Sequence, residues 1–199
     1  SDIEISEPPV IKNGYITFGS FNHLSKINKK VISLWSKILK SIPKSKIFLK
    51  TKQLNDSYLK EKIISEFKEN GINLNSIMLE GSSPRTKLLK SYNKIDIALD
   101  PFPYSGGVTS LEAIWMGVPV LTKKGSRFVS HTTESINHNS GMSDWVANDE
   151  DEYVEKAIKF STNLKLLAEI NKNLRRTALE SPLFNSALFA KQLSNAFWE

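Results

Sequence analysis

Residues 95–122, IDIALDPFPYSGGVTSLEAIWMGVPVLT, set two β-prone apolar runs, at 96–100 and 118–122, on either side of a turn and a short amphipathic run. PFPYSGG is the turn, and VTSLEAIWMG supplies a helix of two to three turns. Strand, turn, helix and strand in immediate succession form a crossover, the connection that parallel strands require. The same alternation extends back toward the N-terminus. Further strands are read at 15–20, 46–51 and 76–81, each followed by a segment of helical period. The pattern predicts an α/β fold, a parallel sheet of about five strands with flanking helices.

The helices between these strands carry their own boundaries. Asn28 is suited to cap a helix whose apolar face is Val31, Ile32, Trp35, Ile38, Leu39 and Ile42, and Pro43 ends it. A second helix runs from Ser57 through Leu59, Ile63 and Phe67 to Gly71, which fits a left-handed C-terminal cap. SSPRTKLLKSYNK begins a third, with Ser83 as cap and Pro84 in the first turn. From about residue 126 no further strand is evident, and three helical stretches follow. The first opens on the acidic run DEDE, and SPLFN breaks the chain before the last. Residues 1–14, with Pro8-Pro9 and Asn13-Gly14, read as a linker, and 15–199 as the domain it leads into.

A hydrophobic share of 40% with 24% charge is that of a globular chain and excludes a disordered one. No apolar run reaches the roughly 20 residues of a membrane helix, and the N-terminus lacks a signal-peptide pattern, so a cytoplasmic protein is expected. The absence of cysteine excludes disulfides, thiolate metal sites and a cysteine nucleophile. The net charge of +6 comes largely from lysines alternating with apolar residues along helices, the pattern of a solvated face. No aromatic platform for single strands accompanies them, so nucleic acid is not an expected partner.

In open parallel sheets ligands bind beyond the carboxyl ends of strands. A helix opening there presents unpaired amides and the positive end of its dipole, which makes an anion site. Gly106 and Gly107 let a phosphate approach the backbone, and Thr109 and Ser110 add hydroxyls. Taken alone the glycines also suit a tight turn that merely packs helix against strand. The motif is neither a Walker loop nor Gly-x-Gly-x-x-Gly. A second turn, FGSFNHLSKIN, leaves the first strand through Gly19, Ser20 and Asn22 and carries His23 and Lys26 toward the same sheet edge. There a lysine can neutralise a diphosphate.

Other candidates are read as structural. Asp96 and Asp100 share one face of a strand and are expected to close turns. His131 and His138 lie about two helical turns apart without a third ligand, and no metal is expected. Trp35, Trp115 and Trp198 fall on apolar helix faces and are assigned to the core; Trp145 has no evident place.

FGSFNHLSKI, IDIALDPFPYSGGVTSLEAIWMGVPVLT, DEYVEKAI and the terminal SPLFN…FAKQLSNAFWE together resemble, in order, the UDP-binding C-terminal half of the O-linked N-acetylglucosamine transferase family. The resemblance implies a GT-B glycosyltransferase in which two Rossmann-like halves face a cleft. It implies inverting chemistry without a metal or other cofactor, with the donor held mainly by this half. The other half, and often tetratricopeptide repeats, would lie upstream. Carried over by position, Lys26 matches the lysine on the donor diphosphate, and His23 a side chain near the phosphates or sugar. Ser83 and Arg85 match positions framing the uracil. Gly107, Val108 and Thr109 match the helix start that donates to the diphosphate, and Glu112 an acid that accepts from ribose hydroxyls. Leu88 stands where the family usually has a histidine near the base, and Val108 replaces a small hydroxyl or histidine.

The function expected is that of the donor-binding half of an enzyme moving N-acetylglucosamine, or a related sugar, from UDP to a protein Ser or Thr. Asn22, His23, Lys26, Ser83, Arg85, Leu88, Gly106, Gly107, Val108, Thr109 and Glu112 form the donor site, with Lys26 stabilising the departing UDP. The alternative is a nucleotide-sugar-binding or interaction module without turnover. The protein acceptor would be met through the upstream regions.

Overall fold

The computed structural model describes residues 3–198. Six parallel strands form one sheet: β1 (Thr17–Ser20), β2 (Lys46–Lys50), β3 (Ile77–Glu80), β4 (Ile97–Leu99), β5 (Val120–Lys123) and β6 (Val146–Ala147). Their spatial order is β3-β2-β1-β4-β5-β6, the doubly wound order in which the crossovers turn one way from β1 and the other way from β4. Five of these strands fall where the sequence places them. The sixth was not expected, because a two-residue run offers no alternation to read. It is held by pairing of Thr122 with Val146 and of Lys123 with Ala147.

Both faces of the sheet are covered, so its strands are apolar on both sides. Phe18, Ile47, Phe48, Leu49, Ile97 and Leu121 are buried. α2 (Lys29–Ser41) lays Val31, Ile32, Trp35 and Ile38 on the sheet, and its Asn28 cap accepts from the Val31 amide at 3.1 Å. α3 (Ser57–Glu69) ends at Gly71, whose φ of +75° is the left-handed conformation expected of it. α4 (Arg85–Ser91) begins one residue later than the sequence suggested. Pro84, in extended conformation, is itself the cap, and Ser83 stands outside the helix with no hydrogen bond to its Oγ.

α5 (Val108–Trp115) joins β4 to β5, and α6 (Thr132–Asn139) precedes β6. α7 (Glu150–Thr162) packs beside α2, where Trp35 Nε1 donates to the Tyr153 hydroxyl at 3.3 Å. That hydroxyl in turn donates to the carbonyl of Asp100 at 3.1 Å, pinning the end of β4.

Residues 3–14, read as a linker, lie against the sheet domain and include the short helix α1 (Pro9–Asn13). Ile3 and Val10 are buried, and Asp96 accepts from the amides of Val10 at 2.9 Å and Thr17 at 2.8 Å. Asp96 thus fastens this segment as well as the start of β1. α8 (Leu164–Leu179) completes the clamp, since Arg175 donates to the carbonyls of Ile3 at 3.0 Å and Trp115 at 2.5 Å.

Trp35 is core as expected, while Trp115 is half-buried against Phe184. Trp198 is a correction: it is 88% exposed, Phe189 and Phe197 before it are exposed as well, and α9 (Ser186–Ala196) buries none of its residues. Trp145, which the sequence left without a place, is buried and stacked on Phe160 at 4.1 Å between ring centroids. No helix among the described residues is long and apolar enough to cross a membrane.

Candidate functional site at the switch of strand order

β1 and β4 are neighbours, with Phe18 opposite Ile97 and Gly19 opposite Ala98, so their carboxyl ends open side by side. Gly19 is required there: a Cβ would come within 2.6 Å of the Ile95 side chain. The two turns singled out in the sequence are the exits of these two strands, and hydrogen bonds tie them together. Thr109 Oγ1 donates to the buried Asn22 side chain at 3.1 Å. Asn28 Nδ2 donates to the Phe102 carbonyl at 3.0 Å while its oxygen caps α2. Lys26 Nζ donates to the Ser105 carbonyl at 2.8 Å and stands 3.8 Å above the Tyr104 ring.

His23 caps the short turn that carries Lys26, accepting from the Ser25 amide at 3.3 Å. Gln53 braces the same turn. Its oxygen accepts from the Leu24 amide at 3.2 Å, and its amide nitrogen lies against the His23 ring. Lys26 therefore has a fixed position at the mouth of the glycine turn. Its partial burial lowers its pKa from the ordinary lysine value, against the charge of Asp100, which raises it.

Across the mouth, α5 opens on Gly107, which has no side chain to cap the helix. The amides that begin α5 therefore have no side-chain cap among the described residues. Gly106 is confined by Asp100, whose Oδ1 accepts from the Gly106 amide at 2.6 Å and whose Oδ2 accepts from Thr122 Oγ1 at 2.7 Å. A Cβ at Gly106 would meet Ser110 Oγ, and would come within 2.9 Å of Asp100 Oδ1 and 3.0 Å of Thr109 Oγ1. Burial pushes the Asp100 carboxyl up to about 6, against the bonds from Thr122, Gly106 and Thr133 and the charge of Lys26. Ser110, counted in the sequence as a ligand hydroxyl, faces inward instead: it is buried and bonds Thr133 Oγ1 at 2.9 Å.

One turn into α5, Glu112 is buried and pairs with the exposed Arg85 at the start of α4. Its other oxygen accepts from the Tyr92 hydroxyl at 3.2 Å, and that hydroxyl also reaches the Thr109 carbonyl at 3.0 Å. Burial, then the Glu112 charge, pushes the Tyr92 phenol well above its usual value. An apolar cavity of about 420 Å³ adjoins this pair between α4 and α5, and Leu89, Val108 and Leu111 line it. Leu89, not Leu88, turns into it. Leu88 is half-buried, and Ser83 lies just before α4 with its hydroxyl unpartnered.

Geometry thus brings Asn22, His23, Lys26, Gly106, Gly107, Val108 and Thr109 together, with Arg85 and Glu112 paired at one side. Sequence reasoning missed Asn28 and Gln53, which lock the lysine turn, and Tyr92, which holds Glu112. A helix cap at Asn28 was legible, but its second bond, to a residue far along the chain, carried no local signal. His131 and His138 both face Glu134, at 2.7 and 3.8 Å.

Residues 10–193 match the family described as Glycosyl transferase family 41. The chain belongs to that family. It is 35% identical over 190 residues to the barley (Hordeum vulgare) protein described as probable UDP-N-acetylglucosamine–peptide N-acetylglucosaminyltransferase SPINDLY, covering 95% of this chain and 20% of that one. Among solved structures, a mutant O-GlcNAc transferase of Thermobaculum terrenum superposes with a TM-score of 0.88 at 35% identity, over 93% of this chain and 36% of that chain. Anabaena HepE, solved with UDP and glucose, shares the fold alone, with a TM-score of 0.63 at 14% identity over 94% of this chain and 50% of that one. The chain spans about a fifth of the length of the curated relatives it matches and about a third of the bacterial transferase. Its parallel sheet and crossover helices are the Rossmann-like half of a GT-B architecture.

Proposed function

We propose that this domain holds the nucleotide of a UDP-sugar and serves as the donor half of a transferase that passes N-acetylglucosamine, or a related sugar, to a protein Ser or Thr. The observation that carries the reading is the fixed ammonium of Lys26 facing the uncapped start of α5 across the glycine turn. A diphosphate between them would accept from Lys26 and from the amides of Gly107, Val108 and Thr109, with His23 and Asn22 at its flank. Glu112, one turn deeper, would accept from ribose hydroxyls once Arg85 releases it. Arg85 would then be free to lie over the base, with Ser83 and Leu88 beside it.

As the glycosidic bond breaks, negative charge grows on the departing UDP. Lys26 and the α5 amides are already aimed at that charge, so they stabilise the transition state without reorganising. This is the role proposed for Lys26, and it needs neither a metal nor another cofactor. The acceptor protein would be met by the remainder of the longer enzyme, and the cytoplasmic setting read from the sequence belongs to the same proposal. Support for the donor comes from the family membership and from the named activities of the barley and bacterial relatives.

Titration calorimetry of this chain with UDP, uridine and UDP-N-acetylglucosamine tests the reading. UDP binding that is at least about 10-fold tighter than uridine is expected, since the diphosphate carries the charge these groups complement. Equal affinity for UDP and uridine would remove the diphosphate site.

A further inference from the structure

Lys26 and Asp100 act on opposite ends of a single peptide unit. The Ser105 carbonyl accepts from Lys26 Nζ at 2.8 Å, and the amide of the next residue, Gly106, donates to Asp100 Oδ1 at 2.6 Å. In a trans peptide the C=O and N–H point in opposite directions, and this bond is trans. Whatever takes the amide therefore decides where the carbonyl points. Among the described residues the unit's own carbonyl and amide have no other partners; the units on either side are held, the Ser105 amide by the Val129 carbonyl at 3.1 Å and the Gly106 carbonyl by Thr133 Oγ1 at 3.2 Å. Glycine at 106 leaves that plane free of side-chain restraint, and no larger residue fits so close to the carboxylate.

We infer that Asp100 is a positioning residue for donor binding, whose ionised carboxylate holds the Ser105–Gly106 peptide with its carbonyl toward Lys26 and so parks the ammonium at the mouth of the turn. This deepens the donor reading and rests on it for its functional consequence. A neutral side chain at 100 accepts more weakly from Gly106 and removes the counter-charge behind Lys26. The peptide is then free to rotate and the lysine free to leave.

Groups from several elements face Asp100. Lys26, from the turn after β1, is the charge that acts on it. The other partners are the hydroxyls of Thr122 on β5 and Thr133 on α6, the Gly106 amide, and Tyr153 on α7, which donates to the Asp100 backbone carbonyl. Burial outweighs them and places the carboxyl at about 6, so its charge disappears under mildly acid conditions.

The test pairs two measurements on this chain. The first is the affinity for UDP-N-acetylglucosamine, whose diphosphate diester keeps a constant charge over about pH 5 to 8, a range in which ordinary aspartates stay ionised. Wild-type affinity is expected to weaken about 5- to 10-fold on acidification, with a midpoint near 6. Asp100→Asn should be about 10-fold weaker at neutral pH and flat with pH. Thr122→Val, near-isosteric and remote from the phosphate mouth, removes one bond to the carboxylate and should move the midpoint to higher pH. A merely structural Asp100 would not produce that displacement.

The second measurement is the Gly106 amide resonance without ligand, expected downfield at neutral pH and titrating with the same midpoint as the affinity. A Gly106 signal indifferent to pH and to Thr122→Val overturns the inference, as does a titrating Gly106 with pH-independent donor affinity. Failure of the wild type to bind any UDP-N-acetylglucosamine overturns the donor reading instead. The Gly106 resonance then still decides whether Asp100 holds the turn.

Discussion

Replacing Lys26 by Ala isolates the interaction on which the donor reading depends. In the free protein the ammonium donates to the Ser105 carbonyl and lies over Tyr104. A diphosphate arriving at the mouth would take that bond as a charge-assisted one. Two unit charges about 4 Å apart at an effective dielectric near 20 attract by about 4 kcal/mol. Part of this is offset by surrendering the Ser105 contact and the cation–π contact, the latter worth about 0.5–1 kcal/mol at an exposed site. A net loss of roughly 1.5–3 kcal/mol follows, or about 10- to 150-fold in the dissociation constant of UDP. Uridine carries no phosphate and should bind both proteins alike. Calorimetry with both ligands, beside thermal melts showing the variant folded, gives the answer. UDP bound equally by wild type and variant would refute the placement of Lys26.

The remaining expectations concern the turn, the ribose and the pH response. Gly106→Ala forces a methyl group against Asp100 and Thr109, so it should cost about 1–3 kcal/mol of stability by denaturant titration and weaken UDP at least about 10-fold; a neutral outcome would mean the turn is not rigid. Glu112→Gln should reduce the preference for UDP over its 2′,3′-dideoxy analogue by about 10-fold, and an unchanged preference by calorimetry would exclude Glu112 from the ribose. Burial raises Asp96 and Asp100 from 3.8 to about 6, so between these values the folded chain binds protons that the unfolded chain does not. Stability to urea should therefore rise as pH falls from 7 toward 5, by about 1.3 kcal/mol per group. A decline over that interval would contradict it. Below that window Glu152, held at about 2 by its bonds from Asn148 and Lys156, works in the opposite direction.

Local chemistry made most of the sheet legible. Five strands, the Asn28 cap, the Gly71 terminus and the glycine turn each announce themselves within a few residues. The strand order does not, because alternation of strand and helix is the same whatever the order in which the strands lie. The switch between β1 and β4 is nonetheless what brings Lys26 within 2.8 Å of Ser105. The errors share a cause. β6 is two residues steadied by a neighbour, Ser83 lost the cap to Pro84, and the apolar stripe ending at Trp198 looks the same whether or not a core exists to receive it. The first fourteen residues carried turn signals, while Asp96, which fastens Val10, lies far away in sequence. In the site, the named residues were found by motif, and their supports Tyr92, Asn28 and Gln53 were not. A support acts through one long-range bond and needs no particular neighbours in the chain.

Those supports bear on how binding and folding divide the same charges. Lys26 and Arg85 already hold partners in the free protein, so a nucleotide exchanges their contacts instead of creating them. Exchange makes each contact modest in net worth, but it spares the ordering cost of recruiting a mobile side chain, about 0.5–1.5 kcal/mol apiece. The arrangement depends on an ionised Asp100 in a buried place that penalises ionisation. Acid should therefore strengthen the fold over the same interval in which it weakens the grip on donor. Two opposite trends that both set in as the pH falls through about 6 cannot arise from general acid loosening, which would lower both together.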